Sequence, residues 1–408
     1  MLTKILKSPA LSFFSKEALD HSSLLIEGLW DAPKALLSLV ARKSTKKNIV
    51  IISGSRQDRL LDDLNFFSSD QILDILPWET LPGEDIAPSA DITGKRLEIL
   101  YELAHSKKPQ IIHCSLQALL QKTISPKKLK KICHEWKTGD SLEFDKISDL
   151  LITLGYRKMP VASDKGEFAI RGGLLDIFPI SAPEPYRIDF FGDTIESIRT
   201  FDPVGQRSIQ KVDRFFLSPA SEWQLLKQEE DLSLLWEYLG SETLVIFNEL
   251  LSIEDHNVSI QSLPGSKTRF FSSFSEHLET INPLQKIFFS STNIEELSDV
   301  EITERTGRSY YSGKNSVQKL SFEFSAQKFS TYRWQHPFIE IGDFFSIYDN
   351  KQASTGDEIL SALSRFSESA IELCIVSASE AEEKKLKEKI DQQGLILPKK
   401  TEFSKGYL

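Results

Sequence analysis

The chain has 408 residues, 40% hydrophobic and 26% charged, a composition typical of soluble globular proteins with more than one domain. Its 49 basic and 59 acidic residues give a net charge of −10, which favours protein partners over a function based on DNA binding alone. Three scattered cysteines, dispersed histidines and the lack of a long apolar run argue against a disulfide framework, a zinc site and a membrane span. We therefore expect a cytoplasmic protein without a metal.

A short strand predicted at 24–26 leads into a segment with the spacing of a phosphate-binding P-loop, GxxxxGK[ST]. Gly28 and Lys34 are in register, but Pro33 replaces the second glycine and Ala35 replaces the serine or threonine. Pro33 has no N–H to donate to a phosphate, and Ala35 has no hydroxyl for Mg²⁺. Whether the segment is an inactive relic or an accidental match, we expect this chain to bind no ATP or Mg²⁺ and to be no enzyme.

The next segments alternate between strand and helix patterns. Apolar strands are predicted at 48–53, 72–76 and 110–114, with helices at about 56–67 and up to 103. This alternation indicates an α/β fold with a parallel sheet.

Residues 107–137 form the one locally basic region of the sequence. Its lysines are Lys107, Lys108, Lys122, Lys127, Lys128, Lys130, Lys131 and Lys137, against the single acid Glu135. Such a cluster either binds phosphates non-specifically or forms an ordinary solvated helix face. The sequence leaves direct DNA binding here open.

The stretch 166–203 predicts strands joined by tight turns, with Gly172-Gly173 and Gly192-Asp193 at the breaks. Side chains on a strand alternate between its faces. That alternation predicts an inner, core-facing set of Phe168, Ile170, Tyr186, Ile188 and Phe190. It predicts an outer set of Glu167, Ala169, Arg171, Arg187, Asp189 and Phe191.

The outer set has two interpretations. An exposed arginine beside an exposed aromatic is typical of a protein-binding hot spot. Alternatively, Phe191 is covered by another part of the chain and the arginines form ordinary surface ion pairs.

The runs RGGLLD (171–176), PYR (185–187), DFF (189–191) and WETLP (78–82) resemble the bacterial transcription-repair coupling factor and, more distantly, the excision-repair protein UvrB. The resemblance implies a degenerate RecA-like (P-loop NTPase-like) domain, an inserted small α+β domain that binds the ATPase UvrA, and a following small α/β domain. It implies that Arg171, Arg187 and Phe191 contact UvrA. The degenerate P-loop and the missing tyrosine-rich hairpin place the chain with the coupling factor rather than with UvrB.

The domain boundaries expected from the resemblance divide the chain into four segments. Residues 1–132 and 213–319 would form the RecA-like domain, 133–212 the insertion and 320–408 the third domain. A helix over 222–239 and strands at 244–247 and 287–289 would complete the RecA-like domain. A strand at 370–376 and a helix at 380–393 would belong to the third.

The function implied by the resemblance is a non-catalytic recruitment module that binds UvrA and links stalled RNA polymerase to nucleotide excision repair. We expect the likeness to extend over essentially all of the chain and the front third of the family's length. The family's ATP-driven DNA translocase, with its contacts to RNA polymerase and DNA, would lie outside that part. One alternative is a UvrB-type ATPase acting on damaged DNA, supported only by Gly28 and Lys34. A third possibility is a module that mainly holds a larger protein inactive.

Overall fold

Strands and helices that alternate along the chain build a sheet with helices on both faces. The computed structural model describes residues 14–15, 22–27, 29, 32–55, 59–80, 84, 86–263, 265–291, 302–305, 308–313, 329–333, 384 and 388. The core strands of this sheet are β1 (Ser23–Glu27), β2 (Asn48–Ser53), β3 (Ile72–Ile75), β4 (Ile111–Ser115), β13 (Thr243–Asn248) and β14 (Gln285–Phe289). They are parallel and lie in the order β1-β14-β13-β2-β4-β3, which confirms the predicted parallel α/β sheet.

Three later strands extend the sheet beyond β1. They are β15 (Ile302–Arg305), β16 (Arg308–Gly313) and β17 (Phe329–Arg333), and β17 pairs in parallel with β1. A domain boundary near residue 320 stays a prediction. The strand expected at 370–376 lies outside the described residues, while Lys384 and Glu388, within the expected helix, are helical and exposed.

The helices that flank the sheet are α1 (Ala32–Thr45), α2 (Leu60–Phe67), α3 (Ala90–His105), α4 (Leu116–Leu120), α5 (Pro126–Ile132), α7 (Glu222–Gln228), α8 (Leu250–Gln261) and α9 (Phe274–Thr280). The two faces of the sheet bury separate cores, as β2 shows: Ile49 and Ile51 pack towards α1 and α2, and Val50 and Ile52 pack towards the other helices. None of the helices described is long and apolar enough to cross a membrane.

The single helix expected over 222–239 is wrong. Helix α7 ends at Gln228, and a short 3₁₀ helix follows only at Leu235–Tyr238. Between them Ser233 exchanges backbone hydrogen bonds with Thr123 of a neighbouring segment, so the chain is extended there instead of helical.

The parallel sheet and its flanking helices are called the first unit below, and the residues between α5 and α7, which form a second sheet, are called the inserted unit. The chain leaves the first unit along β5 (His134–Lys137) and returns along β12 (Arg214–Leu217), and these strands pair antiparallel. Between them lie α6 (Phe144–Thr153) and the strands β6 (Arg157–Lys158), β7 (Glu167–Arg171), β8 (Leu174–Phe178), β9 (Tyr186–Phe191), β10 (Thr194–Phe201) and β11 (Ser208–Val212). The six strands form a second sheet in the order β11-β10-β9-β8-β7-β6.

The inner face of the second sheet packs on α6. Phe168, Ile188 and Phe190 are buried against Ile147 and Leu151 of this helix, as the alternation predicted. Two residues predicted on the outer face are buried: Glu167 is 6% exposed and Ala169 is 2% exposed. The chain between β6 and β7 holds Glu167, whose carboxylate accepts hydrogen bonds from the N–H groups of Ser163 and Asp164.

The two units are joined through α3. A Cβ added to Gly94 of α3 would lie 2.4 Å from the carbonyl oxygen of Ile180, so glycine is needed for this close approach. Arg96 of α3 donates to Glu222 of α7 at 2.9 Å, and both side chains are fully buried. Trp78 of the WETLP run also donates to this carboxylate, at 3.1 Å. The motif residue Trp78 therefore has a structural role at the junction.

Candidate functional site

The candidate site is the outer face of the second sheet, the side turned away from α6. It is held by two hairpins whose turns are Gly172-Gly173 and Gly192-Asp193, as the sequence predicted. Gly172 and Gly192 both have a φ of +59°, a conformation that favours glycine and suits the first turn position of a type II′ hairpin. Arg171 and Phe191 directly precede these turns on strands running in the same direction, so both lie at the same end of the sheet.

Phe191 is 81% exposed, and it is the one aromatic residue among the large apolar side chains exposed in the described part of the chain. On one side of Phe191, strand β8 has already reached its glycine turn, and on the other side the paired residue of β10 is the exposed Thr194. A methyl group added to Gly172 or Gly192 would meet nothing within 4 Å, so the space around this end of the sheet is open. The hypothesis that Phe191 is covered within the chain is therefore wrong for the described residues.

Arg171 is also exposed, and one of its terminal nitrogens donates to the carbonyl oxygen of Pro160 at 2.7 Å. This contact holds the guanidinium against the segment between β6 and β7. The side chain remains accessible to a partner.

Arg187 has a different environment. Its side chain is 15% exposed and forms a bidentate ion pair with Asp176 of β8, with donor–acceptor distances of 2.7 and 2.8 Å. It also donates to the backbone oxygen of Gln206 at 3.2 Å, and its guanidinium lies 4.5 Å from the ring centre of Phe201. The hydrogen bond to Asp176 is the main reason that the pKa of Arg187 is raised. Its donors are thus engaged within the chain.

Asp176, which sequence reasoning missed as a functional neighbour, is 1% exposed and lies directly opposite Arg187 in the β8–β9 register. A similar pair follows one row along the face, where Asp189 accepts from Arg199 and from the hydroxyl of Ser197. The available signal was the aspartate at the end of RGGLLD, but its partner depends on the hairpin register. These pairs fix the outer face and leave Arg171 and Phe191 as its accessible residues at one end.

The P-loop-like segment forms the start of α1, which contains Pro33, Lys34 and Ala35; Gly28 lies outside the described residues. Lys34 is 6% exposed, and its ammonium forms an ion pair with Glu249 at the start of α8. Glu249, in a left-handed conformation with a φ of +60°, also accepts from the backbone N–H and the hydroxyl of Ser291, both at 3.1 Å. In a P-loop this lysine contacts phosphate, whereas here Lys34 is paired with a carboxylate of the chain itself.

The lysine-rich region 107–137 is divided among several elements. Lys122 pairs with Glu276 at 3.6 Å, and Lys128 pairs with Glu229 at 2.9 Å. The exposed lysines are Lys107 and Lys108 before β4, Lys127, Lys130 and Lys131 on α5, and Lys137 on β5. In the described part of the chain, no group of three His, Cys, Asp or Glu side chains could hold a metal ion.

The second sheet and the ribbon that carries it coincide with a known family. Residues 135–223 match the UvrB interaction domain. The matched range begins in β5 and ends at the start of α7, so it covers the whole inserted unit and the candidate site. Arg171, Asp176, Arg187 and Phe191 all lie within the UvrB interaction domain.

Several curated relatives are also similar to the chain, and each is described as a transcription-repair-coupling factor. The protein of Escherichia coli is 34% identical over 177 residues, which are 43% of this chain and 15% of the relative. That of Haemophilus influenzae is 35% identical over 50% of this chain and 18% of the relative. That of Mycobacterium tuberculosis is 33% identical over 49% of this chain and 17% of the relative.

The extent of these matches corrects one expectation. The likeness was expected over essentially all of the chain, but these relatives match it over 43 to 50%. The matched residues span only 15 to 18% of the relatives' own length. The similarity to transcription-repair-coupling factors and the UvrB interaction domain are thus established for part of the chain.

Proposed function

We propose that this chain is a recruitment module that binds UvrA through the outer face of its UvrB interaction domain, as part of the coupling of transcription to nucleotide excision repair. The observation that carries the proposal is the 81% exposure of Phe191, next to the turn of the β9–β10 hairpin inside the matched domain. An aromatic side chain held in water by an ordered turn is a typical anchor for a protein partner.

The composition of the site supports a protein partner. Phe191 supplies apolar surface that is already presented in a fixed backbone geometry, so little conformational entropy is lost when it binds. Arg171 supplies a guanidinium at the same end of the sheet, able to form charge-assisted hydrogen bonds with a carboxylate of the partner. Arg187 supports the site indirectly. Its bidentate pair with Asp176 links β9 to β8 and so holds the strand that ends at Phe191.

We also propose that this chain does not hydrolyse ATP. Its support is the ion pair that Lys34 forms with Glu249, together with Pro33 and Ala35 at two positions where a P-loop needs other residues. We further propose that the first unit is a degenerate RecA-like domain, supported by its parallel sheet and by the position of α1 after β1. A link to RNA polymerase and translocation on DNA would involve parts of a longer protein.

A titration against purified UvrA tests the proposal. The variant R171A/F191A removes both accessible groups and leaves the Arg187–Asp176 pair in place, so its fold should be intact by circular dichroism. Truncation of an anchor at an interface centre costs about 2 kcal/mol or more, so we expect the affinity to fall by roughly thirtyfold or more.

The matched control is V258A, because Val258 is a 68% exposed apolar residue on α8, outside the UvrB interaction domain. We expect it to bind as the wild type does. Unchanged affinity in a folded R171A/F191A variant, or an equal loss in V258A, would contradict the proposed site.

A further inference from the structure

A second charged surface lies on the first unit, at the end of the parallel sheet where the strands begin. The last turn of helix α1 contains Lys43, and Lys46 and Lys47 follow the helix and lead into β2. Lys107 and Lys108 lie between α3 and β4. These five residues are called the basic edge below. They come from two segments about sixty residues apart in the chain.

The hydrogen bonds of the sheet hold these segments side by side. The N–H of Ile49 donates to the oxygen of Gln110 at 2.9 Å, and the N–H of Gln110 donates to the side chain of Asn48 at 2.8 Å. Adjacent strands in a sheet lie about 4.8 Å apart, so the lysines that precede β2 and β4 are neighbours. Lys46, Lys107 and Lys108 line one polar surface pocket of about 220 Å³.

The charge of the basic edge is not neutralised within the described residues. No carboxylate of the described chain forms an ion pair with any of its five lysines, whereas Lys122 and Lys128 of the lysine-rich region are paired. Lys43, Lys46, Lys107 and Lys108 are exposed, and Lys47 is partly exposed. Two acids lie nearby: Glu242, which lines the pocket, and Asp70, which is 3.9 Å from Arg42. In a protein with a net charge of −10, an unpaired basic cluster is a local exception.

We propose that the basic edge binds the phosphate backbone of duplex DNA without sequence specificity. The lysines are exposed and spread along a sheet edge, which suits a line of phosphates better than a single buried anion. The one aromatic residue lining the pocket, Tyr238, is 9% exposed and donates its hydroxyl to Ile124, so it offers no stacking platform for a free nucleotide. This inference is independent of UvrA binding, since the basic edge lies outside the UvrB interaction domain.

The test is the binding of the full chain to a fluorescent 30-base-pair duplex of arbitrary sequence, measured by anisotropy at several salt concentrations. The variant K46Q/K107Q/K108Q removes the lysines that line the pocket. Glutamine suits position 46 no worse than lysine, although the φ of +56° there is unusual for any side chain. We expect this variant to bind on the order of tenfold or more weakly at low salt. The slope of log affinity against log salt should fall by about 3, one for each lost phosphate contact.

The matched control is K137Q/K158Q/K211Q, which removes three exposed lysines of the inserted unit and changes the net charge equally. It should keep most of the wild-type affinity and salt slope. A third variant, E242Q, removes a carboxylate from the pocket and should bind DNA more tightly than the wild type.

Three results would overturn the inference. They are absence of binding by the wild type at 50 mM salt, an equal loss in the control variant, and tighter binding of polyglutamate than of the duplex at equal charge concentration. Circular dichroism and thermal unfolding of each variant separate lost binding from lost structure.

Discussion

Arg187 and Arg171 have the same side chain on the same face of one sheet, but they differ in burial. We expect R187A to unfold more easily than the wild type by about 3 kcal/mol or more, because Asp176 would remain buried as an uncompensated charge. R171A loses only a contact of an exposed side chain and should stay within about 0.5 kcal/mol of the wild type. Urea denaturation of both variants measures the difference.

A second substitution at Asp176 shows whether charge is the cause. The variant R187A/D176N replaces the buried carboxylate by a neutral amide and should recover part of the lost stability. If R187A were as stable as R171A, or if D176N gave no recovery in the R187A background, the structural role assigned to Arg187 would be wrong.

At the residue scale, the sequence predicted the exposure of Phe191 but not the pairing of Arg187 with Asp176. Alternation along a strand is a local property, so the outward orientation of Phe191 could be predicted from 186–191 alone. The partner of Arg187 depends on the register between β8 and β9, which pairs it with Asp176 eleven residues earlier. The sequence therefore could not show that Arg187 is paired within the chain while Arg171 is exposed.

At the scale of elements, a buried histidine connects α9, the 3₁₀ helix and the end of α4. Trp236 donates to Nδ1 of His277 at 2.8 Å, so Nε2 carries the proton and donates to the hydroxyl of Ser272 at 2.5 Å. That hydroxyl donates in turn to the carbonyl oxygen of Leu120 at 3.0 Å. Burial, with a smaller effect of the positive charge of Lys122, lowers the pKa of His277 to about 3.

This low pKa predicts a loss of stability in acid. Below the unfolded-state pKa of about 6.5 the unfolded chain binds a proton that the folded chain excludes, so the free energy of unfolding falls as the pH decreases from 6.5 towards 3. The expected slope from this residue is at most about 1.4 kcal/mol per pH unit. The variant H277Q, compared with the wild type by urea denaturation across this range, should show a smaller slope. An unchanged slope would contradict a neutral buried His277.

The elements themselves were largely predictable, because period-two and helical patterns are local and the glycine turns have a defined geometry. The exceptions depend on contacts distant in sequence. The carboxylate of Glu167 is bonded by the loop before β7, and the chain after α7 is extended because Ser233 pairs with Thr123. Neither contact could be predicted from the local sequence around these residues.

At the scale of the whole molecule, the account predicts that ATP has no binding site in this chain. A ligand that binds only the folded state, and is present at a concentration a hundred times its dissociation constant, would raise the free energy of unfolding by about 2.7 kcal/mol. Such an increase is easily seen as a rise in melting temperature. We expect ATP with Mg²⁺ at millimolar concentration to leave the melting temperature unchanged, because the ammonium of Lys34 already forms an ion pair with Glu249. A clear rise that disappears in K34Q would show a working nucleotide site instead.

The arrangement of units was partly predictable from the sequence. The resemblance implied an inserted domain at 133–212, and its boundaries stay a prediction. In the structure, the residues between β5 and β12 contact the rest of the chain through the β5–β12 ribbon and the close approach of Gly94 to Ile180. The basic edge was not predicted, because its lysines belong to segments that only the β2–β4 pairing brings together. The third domain remains a prediction from resemblance.

The central claim is that Phe191 touches UvrA directly, and photo-crosslinking tests it most directly. p-Benzoylphenylalanine placed at position 191 retains an aromatic ring at the exposed end of β9, and the same residue at position 258 serves as the control. On illumination in the presence of purified UvrA, the account predicts a covalent adduct from position 191 and none from position 258. No adduct from position 191, or equal yields from both positions, would contradict it.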